Sequence, residues 1–165
     1  MKKIITLLAV VGMFSLQGCT TTDPNYVDHD TISTVFETNQ VSFIASSYSV
    51  KYIFPSPIYS SDVVLVYRLT GTVNGNDLWE FLPETHYFAD GTRDFSYNFD
   101  FTRNDVQIYL EGNNLLTLDA SYRLNQIFRI VVVPASFATS LNTANYPAVM
   151  AALNINESQV QKINF

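Results

Sequence analysis

Two histidines, one cysteine, one tryptophan and fifteen carboxylates are the groups of this 165-residue chain that could do chemistry. Nucleophilic catalysis needs a Ser or Cys, a base and an orienting acid brought together. The chain has no Gly-x-Ser-x-Gly elbow, and its histidines, His29 and His86, lie 57 positions apart. His86 precedes the strand-like Tyr87-Phe88 and reads as a partly exposed strand residue before it reads as a general base. Two distant histidines without a thiolate pair do not make a zinc ligand set. Asp90-Gly91-Thr92-Arg93-Asp94 offers oxygens of the kind calcium takes, but without full calcium-loop spacing. A tight turn uses the same residue types to satisfy its own backbone, and that reading is preferred. Glu80, Glu84, Asp94, Asp100 and Asp105 supply carboxylates for an acid pair of the glycosidase kind, but none is marked out from the rest. The expectation is a protein that is not an enzyme and holds neither metal nor cofactor.

Aromatic side chains are the better material for binding. In alternation Trp79 shares one strand face with Asp77 and Phe81, while Glu80 shares the other with Leu78 and Leu82. Trp79 reads either as a core-rim anchor or as a stacking platform for a sugar ring or a partner side chain. Tyr97 and Tyr109 carry the same two readings, since a tyrosine has an apolar body and a polar tip. Arg68, Arg123 and Arg129 sit in or beside apolar strands, and each is expected to pair with a carboxylate on the sheet.

The elements that must position these groups are mostly β. Val41 to Ala45 and Tyr48 to Phe54 are β-branched and aromatic runs, the second alternating at period two until Pro55 and Pro57 stop it. Val63 to Leu69 and Ile127 to Val133 are continuously apolar, the pattern of central strands covered on both faces. Asn74-Gly75 marks a hairpin from which Leu78 to Leu82 returns, and Asp90-Gly91 marks another turn. Phe95 to Phe101 has an aromatic at every second position, and Val106 to Leu110 alternates again. Asn145 to Leu153 reads as a helix, with an N-cap Asn and a Pro in the first turn. A helical turn fits Asp119 to Leu124, and Val160 to Phe165 reads as a closing edge strand. These elements predict an all-β fold, an antiparallel β-sandwich of seven to nine strands with one short C-terminal helix, spanning residues 31–165.

Residues 1–18 have a different character. Met1-Lys2-Lys3 and the apolar run Ile4 to Phe14 form the charged and hydrophobic parts of an export signal, too short for a permanent membrane span. Leu16-Gln17-Gly18-Cys19 closes it and resembles the lipobox of bacterial lipoproteins. The resemblance implies cleavage before Cys19, a diacylglycerol on its sulfur and an acylated amino terminus. As the sole cysteine, Cys19 can form no intramolecular disulfide, and lipidation would consume a thiol otherwise exposed in an oxidising compartment. Removing 18 of 165 residues leaves 147, one domain by length. With Lys2 and Lys3 gone, seven lysines and arginines face fifteen acids, a net charge of −8 that argues against nucleic acid and against electrostatic adhesion to anionic lipid. Residues 19–30 read as a short lipidated tether, reaching about 15–20 Å as a random coil.

The block from Asp62 to Asn154 resembles a group of small Bacteroidota envelope lipoproteins of uncharacterised function. The resemblance is carried by Asp62-Val63-Val64-Leu65-Val66-Tyr67-Arg68, Leu78-Trp79-Glu80-Phe81-Leu82-Pro83, Phe95-Ser96-Tyr97-Asn98-Phe99-Asp100-Phe101-Thr102 and the Gln126 to Ala135 run. It assigns no residue a role, and the collagen-like tract of some of these lipoproteins has no counterpart here. Asp30-Thr31-Ile32 resembles the O-glycosylation sequon of that phylum, which implies a glycan on Thr31. Thr20-Thr21-Thr22-Asp23 is a poor match to its surface-export signal of acids after the lipidated Cys. The implied place is therefore the periplasmic face of the outer membrane, with the membrane held through the lipid anchor. The expected function is a non-catalytic binding or assembly module for an envelope protein. The alternative is an accessory glycan-binding lipoprotein using Trp79, Tyr97 and Tyr109. Labelled palmitate tests the anchor: label should enter the wild type in growing cells and be lost in Cys19→Ala, and an unlabelled wild type would end the lipoprotein reading.

Overall fold

The structure, a computed structural model, describes residues 33–164. The leader, Cys19, the tether and Thr31 lie outside the described residues. Nine strands build two sheets among those described. The first has the order β4-β3-β8-β1-β9, formed by Asn76–Phe81, Asp62–Val73, Phe128–Pro134, Thr34–Thr38 and Gln161–Ile163. The second runs β2-β7-β6-β5, formed by Ser49–Ile53, Asp105–Gly112, Arg93–Phe101 and Glu84–Tyr87. The expected sandwich with its short C-terminal helix is therefore present. One pairing departs from a wholly antiparallel fold: β9 lies parallel to β1, with Phe36 opposite Gln161.

Strand β8 is the middle of the first sheet and β3 is its neighbour, as their unbroken apolar runs require. Six of the seven β8 residues are buried. Phe128, Ile130 and Val132 pack with Val64 and Val66 against Phe95, Tyr97, Val106, Ile108 and Leu110 of the second sheet. On the other face, Val131 and Val133 join Leu65, Tyr67, Val35 and Trp79 in a second core, closed by Tyr146, Val149, Met150 and Val160. The first sheet is thus covered on both sides, by a sheet on one and by the C-terminal segment on the other.

Of the three short helices, α1 (Ala120–Arg123) lies in the connection from β7 to β8, while α2 (Ala135–Ala138) and α3 (Tyr146–Ala152) supply that second cover. Helix α3 starts where the sequence places it. The Asn145 side chain accepts a hydrogen bond from the Ala148 N–H at 3.1 Å, and Pro147 lies in the first turn. The Asn74-Gly75 hairpin closes with both residues at positive φ, 52° and 80°, the two-residue turn that matches strand twist.

Two strand assignments change. Val41 to Ala45 contributes only an isolated bridge, Val41 to Gln126, because the chain turns over Ile44 to Tyr48 and Phe43 drops fully into the core. Strand β1 shows no alternation in sequence because four of its five residues are buried, Glu37 among them. Deleting a β8 side chain should therefore open a cavity in the core it faces. Ile130→Ala is expected to lower the unfolding free energy by about 2–5 kcal/mol in a urea titration, and a loss below about 1 kcal/mol would contradict the packing.

Candidate functional site

Burial decides between the two readings left open for the aromatics. Trp79 is 8 % exposed, seated on the outer face of the first sheet beneath α3 with its ring 5.5 Å from that of Tyr146. Tyr97 is wholly buried between the sheets, and its hydroxyl donates to the Tyr122 carbonyl at 2.5 Å. Neither ring offers a face to a ligand, which corrects the stacking role considered for both. Tyr109 alone of the three keeps part of its surface, on the uncovered face of the second sheet, opposite Asn98 and Ser49. Burial first and the neighbouring Asp100 carboxylate second hold its hydroxyl above the ordinary tyrosine range.

The 90–94 oxygens serve their own turn. The Asp90 carboxylate accepts from the Thr92 hydroxyl at 2.7 Å and from its N–H at 2.9 Å, and these bonds pull the carboxyl below its usual range. Of the candidate acids, Asp105 is held by Lys51 at 3.4 Å and by the Thr102 hydroxyl at 2.9 Å. Glu84 is bound still more closely, inside the fold.

Two of the three arginines pair with carboxylates, on opposite faces of the first sheet. Arg129, 2 % exposed, faces outward beneath the cap. Its guanidinium lies 4.2 Å from the Trp79 ring centre and bonds Glu37 at 2.8 Å and Glu157 at 2.8 and 2.5 Å. The same guanidinium reaches the Tyr146 hydroxyl, and Lys162 closes on the far oxygen of Glu37. Arg129 thereby ties β8 to β1, to α3 and to the turn before β9. Arg123 instead donates to the Leu118 carbonyl at 2.8 Å.

Arg68 faces inward, at the end of the sandwich where β3 outruns β8. It holds Glu84 with two bonds, 2.7 Å from Nε and 2.6 Å from a terminal nitrogen, and lies 4.5 Å from the Tyr97 ring centre. A third bond, 3.0 Å, goes to the Gln126 carbonyl oxygen, and the Gln126 amide donates to the Ser121 and Leu124 carbonyls at 2.7 Å. His86 Nε2 stands 2.8 Å from Glu84, with its ring stacked on Phe95 at 4.3 Å and 5.2 Å from Tyr122. His86 is thus a half-buried strand residue engaged by an acid. One polar network therefore pins β3, β5 and the α1 loop together, and every polar atom named in it has a partner.

That network is the floor beneath the loops that carry most of the large hydrophobic side chains exposed among the described residues. Eleven such side chains are exposed in all. Eight belong to the loops around this floor: Ile44 in the turn before β2, Val73 and Leu78 on the β3–β4 hairpin, and Tyr87 and Phe88 at the end of β5, with Leu116, Tyr122 and Leu124 in the β7–β8 connection. Backbone bonds draw these loops to one end, Phe43 N–H to the Arg123 carbonyl at 2.7 Å and Asn113 N–H to the Asp94 carbonyl at 3.3 Å. Ser33 is at the opposite end, next to Thr34, which pairs with Val132 near the C-terminal end of β8. Strand β3, of 12 residues, spans roughly 36 Å between the two ends. Sequence reasoning passed over this surface because loop hydrophobics have no period. The one visible signal was apolar residues placed directly against turn formers, as in Tyr87-Phe88 before Asp90-Gly91.

No family model matches the chain, and neither a curated protein nor a solved structure does so.

Two outcomes follow from the buried groups. Arg68→Met strands the Glu84 carboxylate and should cost about 3–5 kcal/mol in urea unfolding at pH 7, with Arg68→Met combined with Glu84→Gln recovering more than half. Additive losses would dissolve the network. Burial raises the hydroxyls of Tyr67, Tyr97 and Tyr146, the last to about 12 from 10.0. The unfolded chain releases these protons first, so stability should hold up to pH 9 and fall between pH 10 and 12. A melting temperature unchanged at pH 11 would contradict their burial.

Proposed function

We propose that the chain is a lipid-anchored, non-catalytic binding or assembly module of the bacterial envelope, meeting a protein partner through the loop end of its sandwich. The observation that carries this reading is the placement of eight of the eleven exposed large hydrophobics, among the described residues, at the end opposite Ser33. Exposed apolar side chains gathered at one end of a domain mark an interaction site. The leader, the Cys19 lipobox and the resemblance to Bacteroidota lipoproteins support the envelope setting. Glu84 and Asp105 are engaged in ion pairs and Asp90 in its turn, which favours binding over acid–base work. The glycan alternative loses its ground with the burial of Trp79 and Tyr97.

A photo-reactive benzoylphenylalanine replacing Tyr87 in the full-length lipoprotein, irradiated in intact cells, should give one discrete adduct. The same residue at Phe101, exposed at the opposite end, should give none. No adduct at position 87, or equal adducts at both positions, would overturn the proposal.

A further inference from the structure

Resting on that reading, we propose that the partner docks by adding an extended segment to the free edge of β4, and that this segment carries basic residues beside an apolar one. Among the described residues, strand β4 is the outermost strand of the first sheet, six residues long and paired on one side only, with β3. The phase of its ladder is fixed at both ends. The two-residue turn at Asn74-Gly75 makes Val73 and Asn76 a hydrogen-bonded pair, and the Leu82 N–H donates to the Val66 carbonyl at 2.9 Å. Between these points the backbone groups alternate. Asn76, Leu78 and Glu80 turn theirs towards β3, while the N–H and C=O groups of Asp77, Trp79 and Phe81 point to the open edge. An extended peptide can pair with such a row as one more strand.

The other edges are poorer templates. Strand β9 has three residues and β5 has four with a register shift after His86, while β2 carries Lys51, a charge that edge strands use against pairing. Strand β4 also reaches the apolar end, where Val73 and Leu78 are 55 % and 47 % exposed on the face that carries Arg68 lower down. Its own charges are both negative, the exposed Asp77 and Glu80 on either side of Leu78 and Trp79. A second copy pairing antiparallel on this edge would line one short ladder with four carboxylates and no basic group of β4, a repulsive arrangement. Lysine or arginine flanking an apolar residue is the complementary pattern, and the acids would reject an anionic lipid surface.

Proline separates strand addition from docking by side chains alone. Asp77→Pro removes one outward N–H without touching the β3 ladder, and proline is tolerated on strand edges. With the photo-reactive residue at position 87, Asp77→Pro should reduce the adduct at least tenfold while Asp77→Ala reduces it less than twofold. Glu80→Lys, a charge reversal on an exposed side chain, should reduce it about tenfold as well. Melting temperatures within about 3 °C of wild type show that each variant is folded, and Glu80→Lys carries the test if the proline variant is not. An adduct undiminished by both Asp77→Pro and Glu80→Lys overturns strand addition and leaves the docking surface standing. If only the proline acts, the basic character of the segment is overturned. Absence of the adduct before any edge substitution overturns the docking surface and strand addition together.

Discussion

Strand β8 has no polar face. Phe128, Ile130 and Val132 look one way and Val131 and Val133 the other, so the sheet around it is stable only with apolar cover on both sides. The second sheet provides one cover, and α3 with Val160 provides the other. The rest of the architecture follows from this demand. The chain must return after β8 to build the outer cap, which is why its last thirty or so residues are helical turns and a short parallel strand in place of another hairpin. Among the described residues the second sheet has no such second cover, and apart from Ile53 its outward face carries polar or amphipathic residues such as Lys51, Asn98, Asp100, Gln107 and Tyr109.

Two arginines make the double-sided burial specific. Arg129 and Arg68 lie one register step apart across the β3–β8 ladder, Tyr67 opposite Arg129 and Arg68 opposite Phe128, so they emerge on opposite faces. A charged group in such a place is costly unless it is paired and hydrogen-bonded. Arg129 finds Glu37, Glu157 and Tyr146, which fixes the cap in one position, with the Trp79 ring stacked beneath. Arg68 finds Glu84 and Gln126, which fixes the loop end. The loops that carry the exposed hydrophobics are thus held from beneath by a satisfied polar network, and they form a preorganised surface. A preorganised surface binds with less ordering entropy than loose loops would.

Much of the fold was legible because it obeys local rules. The hairpin at Asn74-Gly75, the caps of α3, the aromatic alternation of β6 and the two unbroken apolar strands all announce themselves within ten residues. What was hidden is non-local. Glu37 meets Arg129 across 92 positions and Arg68 meets Gln126 across 58, and no spacing in the chain marks those partners. Strand β1 was hidden by being buried on both faces, and Trp79 could be placed only once α3 was known to lie over it. The candidate surface was the least legible part, since its residues come from four separate connections and are united only by the end of the sandwich they share.

Hydroxyl-radical footprinting compares the protein in intact cells with the purified full-length lipoprotein, and it reads the whole surface at once. Side-chain oxidation of Leu78, Tyr87, Phe88 and Leu116 should fall several-fold in cells while that of Ile53, Tyr59 and Phe101 at the opposite end stays within twofold. Equal oxidation at both ends in cells, or protection confined to the Ile53 and Phe101 end, would contradict a partner seated on the loop end.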